Sequence, residues 1–195
     1  MTLRVMGIDP GLTRCGVGIV DVSPNRQATL VHVSVVRTSP DLVLEERLFK
    51  IGKTLSSLLD EHQPNAFAIE QVFAQHNVRT VMGVAQVSGL ALYHAAERGL
   101  KVGLHTPTEV KAAITGYGAA DKRQVQTMVA KILRLNQIPK PADAADALAI
   151  AICHAWRAGF DSATNASGNL TPAQRAWRAA EGSSALSQAP RKLSK

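Results

Sequence analysis

Apolar residues follow two rhythms along the chain. Leu3 to Asp9 is a short apolar run ending at Pro10-Gly11, which reads as a buried strand and a turn. Gly16 to Val22 is a second β-rich run. Ser23-Pro24-Asn25 makes a turn, and Thr29 to Arg37 is a third run rich in valine. Three strands with short connections predict an antiparallel meander. The period then changes. Leu44, Leu48, Ile51, Leu55, Leu58 and Leu59 recur at helical spacing, with Asp41 as the expected N-cap and Pro64 as the stop. Ala66 to Glu70 is too short and apolar for anything but a buried strand. A second long helix is expected over Val78 to Arg98, with Gly99 as its left-handed stop, followed by a strand over Lys101 to His105.

Thr106-Pro107-Thr108-Glu109 has the form of a capping box with proline in the first turn, so a short helix follows and ends near Gly116. Asp121 caps another helix through about Leu135. A last helix is expected from Ala142 to Arg157, closed by Gly159. The order βββ-α-β-α-β-α-α-α predicts an α/β layer structure, with a five-stranded mixed sheet: three antiparallel strands, then two running parallel to the first. Residues 1–158 form the expected domain. The remainder, 159–195, is rich in Ser, Ala, Asn and Gly and is expected to be a mostly disordered basic tail, with one helical turn from Thr171-Pro172 to Trp177.

Composition narrows the class without deciding it. The formal net charge is +7. Beyond residue 156, Arg157, Arg175, Arg178, Arg191, Lys192 and Lys195 outweigh Asp161 and Glu181, so the tail supplies much of the excess. A basic chain favours a polyanionic partner, most commonly nucleic acid, although solubility alone is a sufficient reason for the modest charge of the body. Cys15 and Cys153 lack zinc-site spacing and read as buried hydrophobes in a reducing compartment. No signal-peptide layout and no membrane-length apolar run is present, so a cytosolic protein without membrane contact is expected.

The chemistry rests on four carboxylates. Asp9 closes the first strand and Glu70 the fourth. If those strands are neighbours, both carboxylates emerge at one end of the sheet, where α/β proteins place their sites. Asp143 and Asp146 share a face at the start of the last helix, and the alanines around them let that helix approach the sheet closely. Each residue has an ordinary explanation. Asp9 suits a turn, Asp143 suits a helix N-terminus, and either alone would be read that way. Glu70 is harder to dismiss, because it ends a run expected to be buried and so needs a partner or a purpose. Four carboxylates at low dielectric repel unless cations sit between them. Hard oxygen donors without thiolates select Mg²⁺ or Mn²⁺, and two such ions activate a water and stabilise the leaving oxygen of a phosphodiester.

Three segments carry a family resemblance: Gly7-Ile8-Asp9-Pro10-Gly11, Phe67-Ala68-Ile69-Glu70-Gln71-Val72-Phe73, and Ala142-Asp143-Ala144-Ala145-Asp146-Ala147-Leu148-Ala149. Together they resemble the signature segments of the RuvC family of bacterial Holliday-junction resolvases, in order and spacing over residues 1 to about 157. The resemblance implies an RNase H-like fold. It implies a homodimer whose two sites each cut one of two opposed strands of a four-way junction during recombination and repair. It further implies Mg²⁺-dependent hydrolysis leaving 5′-phosphate ends, and cooperation with a branch-migration motor of the RuvA-RuvB type in a nucleoid-associated cytoplasmic setting. Asp9, Glu70, Asp143 and Asp146 carry over as metal ligands and catalytic residues, with Mn²⁺ able to replace Mg²⁺ and two ions expected per site.

Lys111 and Lys122 also match. The ordinary reading of either is a solvated helix charge. The resemblance places both beside DNA and Lys122 near the reacting phosphate, where it would stabilise phosphoryl charge. Phe73 reads equally as a core aromatic or as a base-stacking residue, and the resemblance tips it to stacking at the junction. Arg79 is a candidate phosphate contact, while His76 and Asn77 have no assignment. Gly83 and Gly89 inside the second long helix suggest close backbone contact, and the dimer interface is expected there.

Two other classes are open on sequence. Gly7 to Gly11 also resembles the opening phosphate loop of actin-like ATPases, but those need a second lobe that a chain of this length is not expected to hold. A junction-binding module without catalysis would lack one of the four carboxylates, and none is missing. An RNase H-like nuclease acting on another branched or hybrid substrate is the nearest enzymatic alternative.

Overall fold

The computed structural model describes the backbone over residues 2–71 and 78–166, and the side chains over residues 2–71 and 81–158. Five strands form one sheet: β1 (Leu3–Asp9), β2 (Arg14–Val22), β3 (Ala28–Arg37), β4 (Ala66–Glu70) and β5 (Lys101–His105). Their order is β3-β2-β1-β4-β5. β1, β2 and β3 pair antiparallel, while β4 and β5 run parallel to β1, as the spacing predicts. The helices are α1 (Leu44–His62), α2 (Val78–Glu97), α3 (Pro107–Thr115), α4 (Lys122–Ile132) and α5 (Ala142–Ala166). Residues Met1–Arg157 make one compact unit.

Strand alternation divides the core between two faces. Met6, Ile8, Val17, Ile19, Phe67 and Ile69 point to the side covered by α1 and α2. Val5, Val20, Ala66 and Ala68 point to the side covered by α3, α4 and α5. The period of two then fixes where the strand ends aim. Asp9 and Glu70 share the parity of Val5 and Ala68, so both project toward α5.

Local signals set most boundaries. Thr106 and Glu109 form the expected reciprocal capping box on α3, and Gly116 ends it in the left-handed region at φ 78°. Asp121 caps α4 in the same way with Gln124. Gly99, at φ 64°, follows α2 as predicted. Cys15 and Cys153 are free and buried.

Three boundaries differ. Asp41 is not the cap of α1. Its carboxylate accepts the Ser39 hydroxyl at 2.9 Å, and the helix starts after Val43 with no side-chain cap. β2 begins at Arg14 rather than Gly16, because pairing with β3 extends to Arg14 opposite Arg37. α5 runs through Gly159 to Ala166, so residues 160–166 are helical rather than the start of a disordered stretch. One glycine costs a helix only about 1 kcal/mol relative to alanine, which a long helix already anchored in the core tolerates. The expected turn at 171–177 lies outside the described residues. Among those described, no helix is long and apolar enough to cross a membrane.

Candidate metal centre

Glycine and alanine create the site. On the sheet, a Cβ added to Gly7 would lie 2.6 Å from the Ala151 amide nitrogen, and one on Gly18 would lie 2.7 Å from that of Leu148. A Cβ on Gly16 would collide with the carbonyl oxygen of Asp143. Ala147 and Ala151 meet these glycines from the helix. α5 therefore rests almost backbone to backbone on β1 and β2. This close approach sets its first turn over the ends of the strands. The alanines of α5 signal half of this contact in the sequence. The other half, Gly7 with the i, i+2 pair Gly16 and Gly18, is the signal that helix-based reading misses.

The four predicted carboxylates come together at that edge. Ile8 pairs with Ile69 in the parallel ladder, so Asp9 and Glu70 leave adjacent strands side by side. All four carboxylates are partly buried. Burial first, and then the nearby negative charges of Glu70, Asp146 and Asp143, raise Asp9 to about 7, against the opposing charge of Lys122. Glu70 is raised as well, first by burial and then by Asp146, with Lys122 and Lys111 opposing. A carboxyl group pushed to neutral pH by burial and then by its own kind marks a place where positive charge is wanted.

Two side chains already supply some. The Lys122 ammonium lies 2.7 Å from Asp146 Oδ2, and this hydrogen bond is the main reason its own pKa is raised. Arg14 Nε lies 3.1 Å from Asp143 Oδ2. Arg14 is a residue that sequence reasoning missed, since it falls before the predicted start of its strand. Among the described residues, no group of three or more His, Cys, Asp or Glu side chains is arranged to hold a metal ion as it stands. Lys122 and Arg14 each lie against one of the aspartates. The donor set nonetheless fits a hard divalent ion: it consists of oxygens only, is partly desolvated, and carries more negative charge than Lys122 and Arg14 neutralise.

Lys111 stands on α3 near Glu70, close enough to oppose its shift. Phe73, His76 and Asn77 lie outside the described residues. Arg79 falls on α2, but its side chain is outside them too. At the far side of the same edge, His105 pairs with Glu70 in the ladder and its Nε2 is 3.0 Å from His154 Nδ1. Burial and the His154 charge lower His105 to about 4. These histidines face each other rather than the carboxylates.

Known proteins share the sequence and the fold. The family model described as crossover junction endodeoxyribonuclease RuvC matches residues 5–154. The chain is similar to the crossover junction endodeoxyribonuclease RuvC of Leifsonia xyli subsp. xyli, with 63% identity and 100% of each chain covered. It is 58% identical to that of Paenarthrobacter aurescens, covering 93% of this chain and 96% of the other. Among solved structures, T. thermophilus RuvC in complex with Holliday junction substrate is similar at a TM-score of 0.78 and 38% identity, covering 82% of this chain and 96% of that one.

Proposed function

The chain belongs to the RuvC family of crossover junction endodeoxyribonucleases, with its RNase H-like fold, and on that premise we propose that Asp9, Glu70, Asp143 and Asp146 hold two Mg²⁺ ions at which junction DNA is cut. The activity is endonucleolytic cleavage of four-way junctions by symmetric nicks in opposed strands, leaving 5′-phosphate ends. The observation that carries the site is Asp9. Its carboxyl is pushed to about 7 by burial and by the three other carboxylates that converge on it. Mn²⁺ substitutes for Mg²⁺ in such an all-oxygen set. When bound, the ions supply an activated water and charge stabilisation at the leaving oxygen.

The chain's own residues do the rest. Asp9 and Glu70 present their oxygens from adjacent strand ends, and α5 brings Asp143 and Asp146 to the same edge. Lys122 sits 2.7 Å from Asp146. From that position the ammonium would offset charge developing on the non-bridging oxygens of a phosphate at the site. Lys111, Lys122 and Arg79 bind backbone phosphates, and Phe73 stacks on an unpaired base at the crossover.

Two-fold symmetry of the substrate calls for a homodimer. α2 offers the surface. Met82 and Tyr93 are exposed on it, 55% and 60% respectively, on either side of Gly89, above which a Cβ would meet nothing within 4 Å. Gly83, by contrast, packs inward on Leu12 and belongs to the core rather than to an interface. Replacing Gly89 with Leu is expected to give monomers by light scattering; an unchanged dimer mass would refute this placement. Residues 1–158 form the nuclease domain, with the basic stretch 159–195 accessory to it. The enzyme works in the cytoplasm at the nucleoid, with a branch-migration motor of the RuvA-RuvB type.

The direct test compares a four-way junction with matched linear duplex, in Mg²⁺ and in EDTA, alongside Asp146→Asn. Paired nicks in opposed strands, requiring junction, metal and Asp146, are expected on a denaturing gel. Equal cutting of linear duplex would remove junction specificity, and binding without cutting would leave a junction-binding module.

A further inference from the structure

The end of the sheet that carries the carboxylates is electrically lopsided. Reading across the strands in spatial order, the last residues on the α5 face are Arg37 on β3, Arg14 on β2, Asp9 on β1, Glu70 on β4 and His105 on β5. Arg14 and Arg37 are direct partners in the antiparallel ladder. Opposed residues in such a pair point to the same face with their Cβ atoms roughly 5 Å apart, and like charges so placed destabilise the sheet. Among the described residues, the Arg37 side chain has no hydrogen bond and no ion pair, and the residue is exposed. Arg14 Nε lies 3.1 Å from Asp143 Oδ2, and its side chain is 59% exposed. A guanidinium carries five N–H donors, so most of each fork is free.

The backbone beneath the pair is held firmly. Arg47 of α1 donates to the hydroxyls of Thr38 and Thr13, at 2.9 and 2.8 Å. Thr38 N also donates to the Thr13 carbonyl at 3.1 Å. These bonds pin the start of β2 to the end of β3, so the two exposed guanidiniums are presented from a fixed platform.

Two adjacent arginines with open forks, on the face and edge of the metal centre, match the geometry of phosphate oxygens along a nucleic acid strand. We propose that Arg14 and Arg37 form a phosphate-binding track that carries the junction strand away from the metal centre across β2 and β3. Lys111 and Lys122 flank the carboxylates from α3 and α4. The track adds a second cationic bank on the opposite side, and the cut strand passes between the banks over the carboxylates. Arg14 bridges the two regions, with Nε on Asp143 and the remaining donors on the phosphate. The proposal rests on the junction-cutting activity argued above.

The test is binding of a fluorescent four-way junction in EDTA, where neither cutting nor metal loading contributes. Wild type, Arg14→Gln, Arg37→Gln and the double variant are titrated between about 50 and 200 mM salt, the range over which counterion release is read. Each single variant is expected to lower the slope of log affinity against log salt by about one. The double variant should lower it by nearly two and bind about tenfold more weakly at low salt. The thermal midpoint of Arg37→Gln should hold or rise, because a like-charge pair has been removed, whereas Arg14→Gln also gives up its contact with Asp143. An unchanged slope in variants of a wild type that binds the junction would overturn the track while leaving the junction activity intact. A fall with Arg14→Gln but none with Arg37→Gln would overturn it as well. A wild type that neither prefers the junction nor nicks it in Mg²⁺ would fail the functional reading itself, and the track with it.

Discussion

The two faces of the sheet solve different problems. Toward α1 and α2, the strands present Met6, Ile8, Ile19, Phe67 and Ile69, all at most 1% exposed. Large side chains keep those helices at an ordinary distance and supply transfer free energy. Toward α5, the same strands present Gly7, Gly16 and Gly18 against alanines, which bury little apolar area per residue. What they gain is proximity, and that proximity sets four carboxylates together at a cost in electrostatic repulsion. One face stabilises the fold and the other places charge. Most of what distinguishes this chain from a generic α/β domain lies on the second.

The contrast should be sharpest in Asp9. With Asp9→Asn, junction cutting in Mg²⁺ is expected to fall on the order of a thousandfold, corresponding to a few kcal/mol of lost transition-state stabilisation. The same variant should melt at a higher temperature than wild type in EDTA at pH 8. Asp9 is raised to about 7, so at that pH the folded state bears an ionised group it disfavours, and the amide removes that penalty. Loss of both activity and stability together would mean that Asp9 is a structural residue, and the division between the faces would not hold.

A paired substitution comes next. Ile69→Ala empties part of the α1/α2 face and should cost about 2–5 kcal/mol in chemical denaturation. Below its melting point it should still cut at close to the normal rate per folded molecule. Gly16→Ala drives a methyl group into the Asp143 carbonyl. It should cost about 1–3 kcal/mol from overpacking. Its cutting should fall at least tenfold, because Asp143 is displaced from Asp9 and Glu70, and small misplacements are expensive in catalysis. If Ile69→Ala proved the more damaging to catalysis, close approach would not be what organises the centre.

The same contrast explains what could be read from the sequence. Strand runs and helical spacing are local signals, and they place β1, β4, β5 and α1 to α4 within a few residues, and the start but not the end of α5. Asp9, Glu70, Asp143 and Asp146 were legible because each stands at the end of such an element, and ends of elements are where the alternation of two and the period of 3.6 say a side chain must emerge. Arg14 and Arg37 were not. Their partnership depends on the register between two strands, which hydrophobic spacing leaves open and which a shift of one residue would abolish. Gly16 and Gly18 look like permissive strand residues until the helix they admit is known. Asp41 misled because an aspartate ahead of a helix satisfies a cap as readily as the Ser39 turn that it actually joins.

The smallest effect lies at the end of the row, where the α5 face carries histidines instead of carboxylates. His105 Nε2 and His154 Nδ1 are 3.0 Å apart, so one ring must donate and the other accept. Two protonated rings would aim donors at each other. Burial and the neighbouring ring lower His105 to about 4, and burial lowers His154. The unfolded chain takes up these protons near 6.5, before the folded one does. The stabilisation is therefore complete above pH 6.5, falls as pH drops toward 4, and has no further loss from His105 below that. Asp9 acts in the opposite sense over nearly the same range. It is raised, so the stability linked to it is greatest below 3.8 and is lost as pH rises through about 7. In wild type the two trends partly cancel, and a flat melting curve against pH would say nothing about either. Their difference is informative, because separated sites add. In EDTA, His105→Asn should melt below wild type at pH 7.5, and that gap should close as pH falls to 4.5, by up to about 3 °C per pH unit. Asp9→Asn should melt above wild type at pH 7.5, and its gap should close over the same interval. Two gaps of opposite sign converging together would establish that one edge of one sheet holds a cluster that resists protonation beside a cluster that invites it. A His105→Asn gap that ignored pH would mean that the histidine pair is not held neutral, and only the carboxylate half of the contrast would stand.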